Sequence, residues 1–283
     1  MIRKFGIILE MIKFEHTVFA LPFALISMLV AARGLPKPAT FVWILIAMVG
    51  ARSAAMTFNR IADAKLDKVN PRTASRAIPA GLVSIGAAWL FAAASAVVFV
   101  FTAYMLNPLA FALSPIALAV LLSYSYFKRF TSLSHLWLGL SLGIAPVGAW
   151  IAVNGRFDVT AFVLSAAVIL WTAGFDIIYS LQDLEHDRNV RLFSLPAKLG
   201  PSHALGFSRV FHAGMVALLV WFGSLADLGN VYYIGAALVA AFLIYEQSLV
   251  SAKDYSKVNT AFFTLNGCVS IGLLVFVAID LLL

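Results

Sequence analysis

The chain has 283 residues, of which 62% are hydrophobic and only 12% charged, and its formal net charge is +7. A mean hydropathy of +0.96 excludes an ordinary soluble globular domain. The single cysteine, Cys268, excludes an internal disulfide, and no basic stripe carries a nucleic-acid-binding motif.

Apolar runs suited to crossing a hydrocarbon core of ~30 Å as helices recur nine times. Arg3 and Lys4 open the chain, but Glu10, Lys13 and Glu15 interrupt the apolar residues behind them, so this segment reads as a retained anchor and not a cleaved signal. The predicted spans then run over 18–32, 41–58, 84–106, 109–127, 136–153, 159–181, 204–224, 231–250 and 260–283. Pro22, Pro115, Gly139, Gly143, Pro146 and Gly148 punctuate them, which reads first as close helix packing. The fold expected is an all-α integral membrane bundle of about nine transmembrane helices, forming one polytopic domain over 1–283.

Basic residues set the orientation. The N-terminus and the even-numbered loops hold 15 of the 20 Lys and Arg residues, whereas the opposite loops hold only Arg33, Lys37 and Arg156. The positive-inside bias places the N-terminus in the cytoplasm and Asp280 outside. The net charge is then a property of loops facing anionic lipid, not an affinity for nucleic acid.

Seven of the 13 acidic residues fall in or near two clusters on the cytoplasmic side. After the second span come Asn59, Asp63 and Asp67, each four residues from the last and so on one helical face. After the sixth come Asp176, Tyr179, Asp183 and Asp187, spaced 3, 4 and 4 apart as one continuous stripe, with Glu185 and His186 between the last two. Asp63 and Asp183 lie 120 positions apart, which suggests a distant repeat of helices 1–4 in helices 5–8.

Like charges at this spacing repel, and an Asp near the bilayer centre costs about 2.5–3.5 kcal/mol on insertion scales, so something must compensate. An oxygen-only donor set suits Mg²⁺ held by a few carboxylates and substrate phosphates, and no His or Cys shows zinc spacing. Two Asp pairs facing each other at a cytoplasmic rim would hold Mg²⁺ against a diphosphate. The plainer reading is a solvated rim paired with Lys65, Lys68, Arg188 or Arg191; two aligned clusters on one side favour a site. Lys13, Arg72 and Lys128 flank the acidic loops and suit diphosphate binding.

These residues resemble those of the UbiA superfamily of intramembrane aromatic prenyltransferases, end to end. Asn59-x-x-x-Asp63-x-x-x-Asp67 is similar to its first Asp-rich motif and Asp183-x-x-x-Asp187 to its second. Arg72-Thr73-x-x-Arg76, the run from Tyr126 to Thr131 and the stretch from Gly139 to Trp150 match further. The likeness is strongest to the branch that prenylates 4-hydroxybenzoate, within a bacterial subgroup carrying Lys13-Phe14-Glu15-His16-Thr17.

The resemblance implies an enzyme of the bacterial cytoplasmic membrane that transfers a polyprenyl group from its diphosphate to an aromatic acid in quinone biosynthesis. It implies Mg²⁺ on Asn59, Asp63, Asp67, Asp183 and Asp187, with Lys13, Arg72 and Lys128 neutralising diphosphate. Asp176 would steady an allylic cation or take the ring proton, and Tyr124, Tyr126 and Tyr179 would offer π faces. A dihydroxynaphthoate acceptor for menaquinone is the alternative within the family. An ion-coupled transporter is the alternative of another class. No obligate protein partner is implied. Arg60 stands where other branches often carry Asp, and His186 interrupts the second motif. His16, beside Glu15, is a further candidate for contact with the acceptor.

Overall fold

The computed structural model describes residues 6–7, 10–12 and 17–282, without the side chains of 17 and 18. The expectations placed on Lys13, Glu15 and His16 lie outside the described residues. Among the described residues every regular element is helical. This is the arrangement a bilayer demands, because a helix satisfies its own backbone hydrogen bonds where water is absent.

In chain order the helices are α1 (Thr17–Ala32), α2 (Pro38–Ala62), α3 (Ala64–Val69), α4 (Ile85–Leu106), α5 (Pro108–Phe127), α6 (Ser134–Asn154) and α7 (Val159–Ser180). There follow α8 (Leu184–Asn189), α9 (Leu195–Leu199), α10 (Pro201–Leu225), α11 (Asn230–Ser248) and α12 (Asn266–Leu282), the last preceded by a π-helical turn at Thr260–Leu265. Among the described residues eight segments are long and apolar enough to cross a membrane, and α1 supplies a ninth, shorter apolar helix. The chain is therefore a multi-pass membrane protein with the helix count expected.

The chain divides into two compact units. The first comprises residues up to Thr17 and Lys37–Tyr126. Its centre is the α2–α4 pair, whose contact faces are small: Gly50, Ser53 and Ala54 on α2, Ala88, Ala92 and Ser95 on α4. A Cβ at Gly50 would sit 3.1 Å from the backbone nitrogen of Phe99, so glycine is what permits this spacing. α3 continues from α2 after one non-helical residue, Asp63. Ser84 caps α4, accepting the Ala87 N–H at 3.2 Å.

The second unit comprises Val18–Pro36 and Phe127–Leu283. α1 thus packs with the later helices, so the units do not follow a division into helices 1–4 and 5–8. α7 is its core element, burying Trp171, Phe175, Ile177 and Ile178 almost completely. α6 approaches it so closely that a Cβ on Gly139 would collide with the Ile169 carbonyl. Hydroxyls clasp neighbouring backbones: Ser27 donates to the Pro146 carbonyl, Ser165 to Gly143, Ser208 to Gly174 and Tyr232 to Leu219, at 2.6–2.8 Å. Such interhelical bonds contribute on the order of 0.6–2 kcal/mol each in a membrane. A buried polar chain runs from Trp171 Nε1 to Asn266 Oδ1 (2.6 Å) and from Asn266 Nδ2 to Glu246 Oε1 (2.9 Å). Asp280 on α12 accepts from the Gly229 and Tyr232 N–H groups at the start of α11, where a helix dipole favours negative charge.

Candidate active site

In the first unit the acidic motif sits where α2 gives way to α3. Backbone bonds from Asp63 N to Asn59 O and from Asp67 N to Asp63 O, at 2.9 and 2.8 Å, carry the four-residue spacing across the junction. Asn59 Nδ2 donates to Asp63 Oδ2 at 3.1 Å and to Ser125 Oγ on α5 at 3.4 Å. Asp63 and Asp67 are both buried. Arg76, from the loop behind them, holds Asp67 Oδ1 at 2.7 Å, and the Thr73 hydroxyl donates to the Asp67 carbonyl. Asp67 Oδ2 is buried with no hydrogen-bond partner among the described residues.

Arg60, beside this motif, is buried; its Nε donates to the Met11 carbonyl at 3.1 Å. Asp63, Asp67, Arg76 and Tyr124 are its electrostatic neighbours. Tyr124 and Tyr126 are two apart on α5 and so leave it on different sides. Tyr124 is half-buried beside this cluster, whereas Tyr126 is 43% exposed and meets Phe58 edge-on. Arg72 is exposed in the loop, its N–H held by Asn70 Oδ1 at 2.9 Å.

In the second unit the expected unbroken stripe is interrupted. α7 ends at Ser180, and a 3₁₀ turn at Leu181–Asp183 precedes α8. Three residues per turn in place of 3.6 shift Asp183 and Asp187 in register from Asp176 and Tyr179. Asp187 is buried, hydrogen-bonded by Ser194 and in electrostatic reach of Lys128, Asp183 and His186. Its Oδ1 is buried without a hydrogen-bond partner among the described residues, as Asp67 Oδ2 is in the first motif. His186 is half-buried and Glu185 exposed. Tyr179 stacks on Phe262, with ring centroids 4.1 Å apart.

Asp176 pairs with a residue that sequence reasoning passed over. His135, near the start of α6, places Nδ1 2.7 Å from Asp176 Oδ2, and its Nε2 accepts the Leu195 N–H at 3.2 Å. The only signal in the sequence was a lone histidine one residue into an apolar helix, 41 positions from its partner.

Among the described residues no three His, Cys, Asp or Glu side chains form a ready-made metal cluster. The residues present nonetheless suit Mg²⁺, which is commonly bound by one or two carboxylates with phosphate and water completing the shell. Each motif offers oxygen donors and one buried carboxylate oxygen that no described residue satisfies.

A family model described as the UbiA prenyltransferase family matches residues 20–267. The chain is 30% identical over 254 residues to the 4-hydroxybenzoate octaprenyltransferase of Aliivibrio fischeri strain MJ11, covering 90% of this chain and 87% of that protein. Among solved structures, the apo structure of a UbiA homolog from Aeropyrum pernix K1 aligns with a TM-score of 0.86 at 36% identity, covering 94% of this chain and 98% of that one. A UbiA homolog from Archaeoglobus fulgidus bound to DMAPP and Mg²⁺ aligns with a TM-score of 0.79 at 18% identity, covering 98% and 99% of the two chains, and so shares the fold.

Proposed function

The chain belongs to the UbiA prenyltransferase family and is a membrane prenyltransferase; from that premise we propose that it transfers a polyprenyl group from polyprenyl diphosphate to a ring carbon of 4-hydroxybenzoate or a similar aromatic acid, with Mg²⁺, in quinone biosynthesis. Family membership sets aside the ion-coupled transporter. The observation that carries the reading is the matched pair of buried carboxylate oxygens that no described residue satisfies, Asp67 Oδ2 and Asp187 Oδ1. Each belongs to an Asp-x-x-x-Asp motif with a cation nearby, Arg76 in one case and Lys128 in the other. Buried carboxylates left in this state suit a ligand that brings positive charge.

Asn59, Asp63 and Asp67 would form one set of Mg²⁺ ligands and Asp183 and Asp187 the other. When bound, Mg²⁺ neutralises diphosphate charge and makes it a better leaving group. Lys13, Arg72 and Lys128 would bind diphosphate oxygens. The allylic C–O bond breaks with its electron pair passing to diphosphate, the aromatic carbon bonds to the allylic carbon, and the displaced ring proton passes to Asp176. The π faces of Tyr124 and Tyr179 would stabilise positive charge on the allyl group, with Tyr126 the outer member of that set. Apolar helices exclude water that would otherwise capture the cation. The N-terminus and both motifs would face the cytoplasm of a bacterial inner membrane. A cysteine placed at Ser75 should then resist labelling from the periplasm.

The deciding assay offers purified protein Mg²⁺, geranyl diphosphate, and 4-hydroxybenzoate together with 1,4-dihydroxy-6-naphthoate. C-prenylated 4-hydroxybenzoate is the expected product by mass. A naphthoate product alone would move the acceptor to the menaquinone branch, and no product from either would refute the reading.

A further inference from the structure

We propose that His135 is a positioning residue for Asp176, holding that carboxylate by one oxygen and tying it to the segment that follows the second acidic motif. Its catalytic consequence rests on the prenyl-transfer reading above; its geometry does not.

The two hydrogen bonds of the imidazole fix its tautomer. A backbone N–H can only donate, so the 3.2 Å bond from Leu195 N requires a lone pair on His135 Nε2. The ring proton therefore sits on Nδ1 and is donated to Asp176 Oδ2 at 2.7 Å. Asp176 is thereby held as an acceptor. The side chain of His135 is 3% exposed and that of Asp176 17%, so the imidazole is closed off while the carboxylate opens outward. The histidine can act only through the aspartate, which fits a group that aims a base and not one that meets substrate.

The other end of the imidazole reaches the second motif. Leu195 follows Ser194, whose hydroxyl bonds the Asp187 carboxylate and caps α9 by accepting the Ala197 N–H. The same strap is held by Phe193 N donating to the Lys128 carbonyl at 2.8 Å. His135 thus joins two places that the reaction needs in register: the carboxylate proposed to receive the ring proton, and the motif proposed to hold diphosphate. The 3₁₀ turn lies between Asp176 and Asp187 along the chain, and His135 on α6 contacts both the first carboxylate and the segment that bonds the second.

Two conservative variants separate the two bonds. In His135→Asn the amide nitrogen takes roughly the place of Nδ1 and can still donate to Asp176, while the contact to Leu195 is lost. In His135→Gln the amide oxygen takes roughly the place of Nε2 and can still accept from Leu195, while the donor to Asp176 is lost. With geranyl diphosphate and 4-hydroxybenzoate, His135→Gln should lower kcat on the order of 10- to 100-fold, a part of the roughly 10²- to 10⁴-fold a positioned base contributes. KM for geranyl diphosphate should stay within about twofold, and His135→Asn should recover most of kcat. On an Asp176→Asn background His135→Gln should change kcat by less than about twofold, since the two act as one unit. The second readout needs no turnover: ¹⁵N spectra of histidine-labelled protein, with the signal identified by its loss in His135→Gln, should show a protonated Nδ1 and a bare Nε2 that respond to Asp176→Asn. Wild-type kcat in His135→Gln, or a proton on Nε2, would overturn the proposal. If wild-type protein transfers no prenyl group, the reaction reading fails by itself, while the nitrogen spectra still decide the pairing.

Discussion

Asp67 gives one carboxylate oxygen to Arg76 at 2.7 Å and keeps the other buried, with no hydrogen bond from any described residue. The guanidinium orients the carboxylate and leaves its second oxygen available, so the pair is a ligand with its rotamer already chosen. Replacing Asp67 with Asn removes the negative charge that would meet the cation, a loss on the scale of one charge-assisted interaction of about 2 kcal/mol, equivalent to roughly 30-fold in an equilibrium constant. The Mg²⁺ concentration giving half-maximal activity should rise by at least that order in Asp67→Asn. An unchanged Mg²⁺ titration curve would remove Asp67 from the ligand set.

Chelation should separate activity from folding. EDTA is expected to abolish prenyl transfer and added Mg²⁺ to restore it, while the helical circular dichroism and melting temperature in detergent stay unchanged. The packing described relies on apolar contacts and interhelical hydrogen bonds. Turnover persisting in EDTA would sink the metal reading.

Two glycines on α6 should respond in opposite ways to the same change. Gly139→Ala forces a methyl into the Ile169 backbone and should destabilise the protein by about 1–3 kcal/mol. Gly148 has nothing within 4 Å of an added Cβ, so Gly148→Ala should be neutral or stabilising by up to about 1 kcal/mol. Thermal unfolding of both variants in one detergent makes the comparison.

Asn266 is the centre of the buried polar chain, accepting from Trp171 and donating to Glu246 and to the Ala261 carbonyl. Asn266→Leu strands all three groups and should cost about 2–4 kcal/mol, at 1–3 kcal/mol for each buried group left unpaired and with partial relaxation. Glu246→Gln keeps the oxygen that accepts from Asn266 and should melt close to wild type. Equal melting of both variants would show that the chain of bonds contributes nothing.

Hydropathy exposed the spans because the bilayer sets one length for every helix, and the spacing of Asp63, Asp67, Asp183 and Asp187 exposed both motifs because four residues make one turn. Other features had no local signature. The 3₁₀ turn at Leu181–Asp183 contains neither glycine nor proline, so nothing in those residues announces the break. Arg72 and Arg76 look alike in the sequence, yet Arg76 bonds Asp67 at 2.7 Å while Arg72 stands exposed in the loop with its N–H on Asn70 Oδ1. The grouping of α1 with later helices depends on tertiary contact, as Ser27 with Pro146 illustrates across 119 positions. His135 escaped for the same reason: a histidine's chemistry is defined by its partner, and Asp176 enters only when α6 and α7 pack.

The deep burial of α7 has a consequence for how this chain tolerates change. Most residues of α7 are buried against protein, whereas α5 buries only Ser114 and Ser125. Both read as membrane spans, but they answer to different solvents. Along α5 the acyl chains of the bilayer judge a substitution, and lipid accepts almost any apolar shape while rejecting charge. Along α7 the judges are neighbouring side chains, which resent one methyl group more or less yet can welcome a hydroxyl that finds a carbonyl. A saturation library should therefore show a helix permissive in size and strict in polarity beside one with the reverse intolerance, although their hydrophobicity alone ranks them together.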